Sequence, residues 1–116
     1  MGELPVILIV EDDDQIRLSF RDYLKKEGFE VLVASDGVGA IKQLLDNSID
    51  LIISDYRMEL LGGNYWIKFL QRFCPDMKII FTSGYIKPSD DIPYHVITKP
   101  YKYSELLQEI KQILNE

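Results

Sequence analysis

The alternation of two kinds of segment constrains this chain more than any other feature of its sequence. The short kind is apolar almost without interruption: PVILIV at 5–10, FEVLVA at 29–34, DLIIS at 50–54, KIIF at 78–81 and HVIT at 95–98. Continuous Val/Ile/Leu runs suit strands covered on both faces, which means a parallel sheet between two layers of helix. The long kind is amphipathic. Ile16, Phe20, Tyr23 and Leu24 share one helical face, and Gly28 stands where that helix would stop. Val38, Ile41, Leu44 and Leu45 form a second stripe, and Trp66, Phe69, Leu70 and Phe73 a third, closed by Cys74-Pro75. Leu106, Leu107, Ile110, Ile113 and Leu114 form the last, with Ser104 as the expected N-cap and Glu105 in the first turn, where acids suit the helix dipole.

Right-handed crossovers turn this order into an α/β fold, a doubly wound five-stranded parallel sheet of the flavodoxin-like kind with strand order 2-1-3-4-5. The 116 residues suffice for one domain with a real core and are too few for two, so residues 1–116 read as a single unit. A formal charge of −6 argues against nucleic acid or an anionic membrane as a direct partner. No apolar run approaches the roughly 20 residues of a membrane span. One cysteine, Cys74, cannot close an internal disulfide, and it reads as a small apolar residue at a helix end. A cytoplasmic location is the expectation.

In open sheets of this kind, functional groups gather beyond the carboxyl ends of the strands. There the sequence places Glu11, Asp12, Asp13 and Asp14 after the first run, Ser54-Asp55 after the third, Thr82-Ser83-Gly84 after the fourth and Lys99-Pro100 after the fifth. Each has an ordinary explanation. The acid run can be a helix start, Asp55 and Ser83-Gly84 can be turn residues, and Lys99 can be a solvated surface lysine. The conjunction of acids, hydroxyl and lysine on one side of one sheet is what carries weight. The first and third strands are neighbours, so Glu11, Asp12 and Asp55 would converge. Three carboxylates in one pocket repel unless a cation joins them, and Mg²⁺ suits such a site because it keeps waters and room for phosphate oxygens.

With ILIVEDD at 7–13, DLIISDYRM at 50–58 followed by Gly63, FTSGY at 81–85 and ITKPY at 97–101, the chain resembles the receiver domain of two-component response regulators over essentially its whole length. The resemblance implies that Asp55 is the phosphoacceptor, taking a phosphoryl group from a phosphohistidine on a sensor histidine kinase or phosphotransfer protein. It implies that Asp12 binds Mg²⁺ directly, that Glu11 acts mostly through water, and that the backbone carbonyl of Arg57 is a further ligand beside Asp55. Ser83 would be the switch hydroxyl and Lys99 the phosphoryl-binding cation, with a cis peptide before Pro100. The protein would then be a signalling switch rather than an enzyme, passing its state to a downstream protein target.

Three departures from the family pattern stand out. Glu59 occupies the place of the usual proline four residues after the phosphoacceptor, in a loop that reads MELLGG with an apolar Leu60-Leu61 pair. Val96 stands where the family carries an aromatic switch; Tyr85 and Tyr94 are the candidate substitutes, His95 should face the opposite way, and absence of the device is the plainer reading. The segment from Ser83 to Lys99 is shorter than usual, and Pro88 and Pro93 forbid a continuous helix, with Ser89-Asp90-Asp91 able to cap one short turn. The fourth helix of the fold is therefore expected to be reduced or replaced by a loop, as in a receiver subgroup with an FATGY-like motif. Phosphorylation is expected to order that loop. Two other functions fit the fold: a binding module that is never phosphorylated, and a phosphohydrolase with an Asp nucleophile. Arg57 stands where the latter wants its second acid.

Overall fold

The structure is a computed structural model that describes residues 4–57, 63–84 and 92–115, apart from the side chains of residues 63 and 64. Five strands and four helices follow one another as β1 (Val6–Val10), α1 (Asp14–Lys26), β2 (Glu30–Ala34), α2 (Gly37–Asp46), β3 (Leu51–Asp55), α3 (Gly63–Phe73), β4 (Lys78–Ser83), β5 (His95–Thr98) and α4 (Tyr103–Leu114). All strand pairs are parallel, in the order β2-β1-β3-β4-β5. This is the doubly wound, flavodoxin-like sheet that the apolar runs imply. The last run is β5 as it stands, and the others differ from their strands by one or two residues. β3 ends on Asp55, and Asp50 stays outside it, its Oδ2 accepting from the Val6 N–H at 2.8 Å. β4 is two residues longer than KIIF and reaches Ser83.

Side-chain alternation sorts the sheet into two cores. Ile7, Ile9, Leu51, Ile53 and Ile80 face α1 and α4, where they meet Phe20, Leu24, Leu106 and Ile110. Leu8, Val10, Ile52, Ile79 and Phe81 face α2 and α3, meeting Ala40, Trp66 and Leu70. One buried side-chain bond crosses from sheet to helix: Trp66 Nε1 donates to Ser54 Oγ at 3.0 Å. Both side chains are fully buried.

The helix ends follow local chemistry. Asp13 caps α1, accepting from the Ile16 N–H at 3.0 Å, and Asp36 caps α2, accepting from the Gly39 N–H at 2.8 Å. α1 stops where Gly28 takes φ +96°. The Phe29 N–H then donates to Leu24 O and the Gly28 N–H to Lys25 O, each at 3.2 Å, which satisfies two helix-end carbonyls in the Schellman pattern.

Three expectations about helix ends and faces need correcting. Ser104 is not the cap of the last helix: α4 begins at Tyr103, with Lys102 in the cap position and no side-chain cap bond. Tyr103 is drawn against α1, stacking on Phe20 at 5.0 Å and donating from its hydroxyl to Ser19 Oγ at 3.2 Å, so the helix starts two residues early. Val38 and Leu45 lie outside the inward stripe of α2, 47% and 80% exposed, because Gly37, Ala40, Ile41 and Leu44 already make the face toward the sheet. Phe73 also points out, at 64% exposure. Between β4 and β5 the described residues form no helix, and residues 85–91, with Tyr85, Pro88 and the Ser89-Asp90-Asp91 turn, lie outside them. No helix among the described residues is long and apolar enough to cross a membrane.

The Trp66–Ser54 pair gives a test of this packing. Ser54→Ala leaves the buried indole N–H without its acceptor, so the unfolding free energy should fall by about 1–3 kcal/mol. Urea denaturation reads the change. An unaltered midpoint would mean that the indole finds another partner.

Candidate functional site

Strand parity builds the site. Residues 7 and 9 of β1, 51 and 53 of β3 and 97 of β5 all face the α1–α4 core. The next residues of the same parity are Glu11, Asp55 and Lys99, so the sheet delivers two carboxylates and an ammonium to one side of its carboxyl edge. β1 lies between β2 and β3, and β4 carries β5 at the sheet edge, so Lys99 reaches across β4 to meet them.

The geometry agrees. Lys99 Nζ donates to Glu11 Oε1 and to Asp55 Oδ2, both at 3.3 Å. Its backbone N–H donates to Ser83 O at 2.8 Å, which ties the lysine to the end of β4. The Lys99–Pro100 peptide is cis, as expected. Glu11 is only 4% exposed and Asp55 8%. Glu11 is held at both ends of the residue: its carbonyl accepts from Arg17 Nη1 at 2.9 Å and its Oε2 from the Asp13 N–H at 3.2 Å. The Arg57 N–H donates to Asp55 Oδ1 at 3.3 Å, which sets Arg57 at the rim of the pocket. Carboxylate oxygens of Glu11, Asp12 and Asp55 lie within 4.8 Å of one another, with Asp12 the exposed member.

Burial and then hydrogen bonding with Asp12 push the Glu11 carboxyl up to about 7; Asp55 adds to this, while the Asp13 N–H and Lys99 oppose it. For Lys99 burial alone would lower the ammonium, but Asp55 and Glu11 outweigh it and hold the group above its ordinary value. Beside Glu11 and Asp55 lies a small, partly open cavity of about 10 Å³, lined among others by Thr82, Phe20 and Tyr101. That is room for about one water. Burial first, and then the charge of Glu11, push the Tyr101 phenol up to about 12, which keeps it neutral.

Three carboxylates against one ammonium leave excess negative charge in a half-buried place. Hard oxygen donors in that number and spacing fit a divalent cation that retains several waters. Of the expected residues, Glu11, Asp12, Asp55 and Lys99 come together. Asp13 and Asp14 instead serve α1, as cap and first-turn acid, so half of the acid run is the helix start that its ordinary reading proposed. Thr82 and Ser83 both end β4 and are both buried, and Thr82 lines the small cavity beside Asp55. Val96 packs in the α2–α3 core beside Tyr94, whose ring lies 5.6 Å from that of Phe81. His95 is exposed. The half-buried Cys74 thiol is pushed up by burial, as an inert residue would be. Glu59, Leu60 and Leu61 lie outside the described residues. Sequence reasoning missed Arg17 and Tyr101. Tyr101 directly follows the Lys-Pro pair, a signal within reach; Arg17 carries none, because its contact depends on how α1 leaves the sheet.

Comparison with known proteins gives concordant results. A family model for the response regulator receiver domain matches residues 7–111. The response regulator receiver protein CpdR of Brucella abortus (strain 2308) is 29% identical over 114 residues, covering 93% of this chain and 95% of CpdR. The sensor kinase CckA of the same organism is 29% identical over 118 residues, 95% of this chain but 12% of the kinase. Among solved structures, the response regulator protein TrrA of Thermotoga maritima in complex with Mg(2+)-BeF is 26% identical, with a TM-score of 0.84 over 95% of this chain and 99% of that one.

A divalent cation that binds only the folded pocket should stabilise the chain. At about 100 times its dissociation constant the gain is about 2.7 kcal/mol. The reading is a rise in melting temperature that a chelator reverses, and Asp12→Ala should remove most of it.

Proposed function

Because this chain belongs to the family of response regulator receiver domains, we propose that it is a phosphoacceptor switch of a two-component system, with Asp55 as the residue phosphorylated. The observation that carries this reading is the bridge of Lys99 Nζ to both Asp55 and Glu11, within a group of three carboxylates whose oxygens lie within 4.8 Å. A structural ion pair has no need of the third acid, Asp12, left exposed at the mouth.

In the proposed reaction, a carboxylate oxygen of Asp55 attacks the phosphorus of a phosphohistidine on a histidine kinase or phosphotransfer protein. The new O–P bond forms as the P–N bond breaks, and the electron pair returns to the imidazole nitrogen, which takes up a proton. Such a transfer asks little covalent work of the protein and depends on alignment and on cations facing the spreading charge. Asp55 is aligned by the Arg57 N–H and Lys99. The Lys99 ammonium, a point charge with rotatable donors, is the group that meets a phosphoryl oxygen. Glu11, Asp12, Asp55 and the Arg57 carbonyl are the residues assigned to hold Mg²⁺, which would supply charge neutralisation to the phosphoryl oxygens; the TrrA complex with Mg(2+)-BeF supports that choice of ion. Ser83, at the end of β4 and bonded through its carbonyl to Lys99, is assigned the hydroxyl that contacts the phosphoryl group. The product is an acyl phosphate that water cleaves, so the chain acts as a resettable switch rather than an enzyme. A kinase or phosphotransfer protein upstream, a protein target downstream and a cytoplasmic setting complete the proposal.

Incubation with acetyl phosphate and Mg²⁺, followed by intact mass measurement, is expected to show a single phosphoryl adduct that decays on removal of the donor. Asp55→Asn should abolish it. A native chain that takes no adduct is a binding module instead, and one that turns over generic phosphate esters is a phosphohydrolase. Lys99→Ala is expected to lower the rate of labelling by at least about tenfold, since it removes the cation that faces the transferring group.

A further inference from the structure

α3 is built unlike the rest of this acidic chain. The formal charge is −6, yet Gly63–Phe73 holds Lys68 and Arg72 and no acidic residue. Trp66, Ile67 and Leu70 turn inward and are buried. The outer face of such a helix is ordinarily polar. Here Tyr65 and Phe73 are 72% and 64% exposed, with half-buried Phe69 between them. Residues 65, 69 and 73 recur every four positions and make one ridge, about 12 Å long. The ring of Phe69 lies 5.8 Å from Trp66 and 5.2 Å from Phe73, so the ridge is anchored in the core. Each exposed ring has a cation beside it: Lys68 Nζ is 5.5 Å from the Tyr65 ring and Arg72 Cζ 5.6 Å from the Phe73 ring.

The ridge continues past the helix. Phe73 is also one wall of an open groove of about 760 Å³, shared with Ile49, Met77 and Leu114. Pro5, Asp50 and Lys78 line it too, at the amino ends of β1, β3 and β4, so it lies at the far edge of the sheet from Asp55. Scattered exposed apolar residues need no explanation, but an aromatic ridge that runs into a groove marks an interaction site.

We propose that the outer face of α3, from Tyr65 through Phe73 into the adjoining groove, docks an amphipathic helix of a partner protein whose apolar side is flanked by acidic residues. An apolar helix face laid into a groove is a recurrent mode of recognition, and exposed aromatic and arginine side chains are the usual anchors. Charge selects the occupant. Acidic flanks pair with Lys68 and Arg72, whose partners in the chain itself are the faces of Tyr65 and Phe73. A second copy packed α3 against α3 about a two-fold axis would set the same cations against each other. An anionic bilayer would meet a chain whose formal charge is −6. The proposal does not depend on phosphorylation of Asp55, because no residue of this face belongs to the acidic pocket.

Two synthetic helix-forming peptides test it, sharing the same spaced leucines but carrying Glu flanks in one and Lys flanks in the other. They are titrated into the full chain labelled with ¹⁵N. The acidic peptide should saturably shift amides in residues 65–78, and the basic one should not. Phe73→Ser should weaken the acidic peptide by at least about tenfold, and the pair Lys68→Glu and Arg72→Glu should reverse the preference. These side chains are exposed or held only by ring faces, and an unchanged melting temperature checks that the variants fold. Acetyl phosphate labelling of Asp55 in the same variants should be unaffected, which separates failure of this site from failure of the switch. Lack of saturable binding, equal binding of both peptides, or unchanged binding by Phe73→Ser overturns the proposal. So does a concentration-dependent dimer that Phe73→Ser abolishes, or sedimentation with phosphatidylserine vesicles that the charge-reversed variant loses.

Discussion

The carboxyl edge of the sheet is organised around one ammonium shared by two nearly buried carboxylates. Lys99 comes from the edge strand β5, Glu11 from β1 and Asp55 from β3, so the contact closes the top of the sheet across β4. Burying either carboxylate without a partner would cost several kcal/mol or force it to take a proton. Glu11 shows that tension directly, with its carboxyl pushed up to about 7 mainly by burial. The surrounding backbone holds the three groups in register: Ser83 O fixes the Lys99 N–H, Thr82 O accepts from the Tyr56 N–H, and Arg17 fixes the Glu11 carbonyl. The pocket is therefore a product of strand register more than of the local loops.

That dependence explains what was legible in the sequence. Continuous apolar runs imply strands buried on both faces, and the residues that follow them fall at one edge of the sheet, so Glu11, Asp55 and Lys99 could be assembled before any coordinates. The acid run at 11–14 was harder, because acids serve a metal pocket and a helix N-terminus equally well, and here residues 11 and 12 do one while 13 and 14 do the other. Pattern alone does not choose between Thr82 and Ser83, which are adjacent and both carry hydroxyls. Where the reading failed, a longer-range contact overrode a local preference. Ser104 is a better cap than Lys102, yet the Tyr103 ring packs on Phe20 and Tyr23 and carries the helix start with it. Val38, Leu45 and Phe73 fit a helical period but lie at the edge of their stripes, where period gives no direction.

The same logic separates the two ends of the molecule. At the carboxyl edge Glu11, Asp55 and Lys99 are mutually paired, whereas the groove at the amino edge is open and mixed in character and the outer face of α3 exposes aromatic rings. Packing one end tightly and leaving the other uncovered is not required by the fold, since α1 and α4 bury their aromatics against each other through Phe20, Tyr23, Tyr101 and Tyr103. α3 buries Trp66 fully and still presents Tyr65 and Phe73 to solvent.

A phosphoryl group on Asp55 would change the balance at the first end without touching the second. It would replace one negative charge by nearly two, beside Glu11 and Asp12, and would add acceptor oxygens within reach of Lys99. The ammonium now divides its donors between Glu11 and Asp55 at equal distance. Pulled toward the phosphoryl oxygens, it would loosen its hold on Glu11, and its backbone N–H would carry strain to Ser83 and thence to β4 and β5. Val96, next to Phe81 in the β4–β5 register, has no ring to turn, whereas Tyr94 already rests on the ring of Phe81. Any conformational response is therefore more readily transmitted through backbone ties at the ends of β4 and β5 than through rotation of a side chain at position 96.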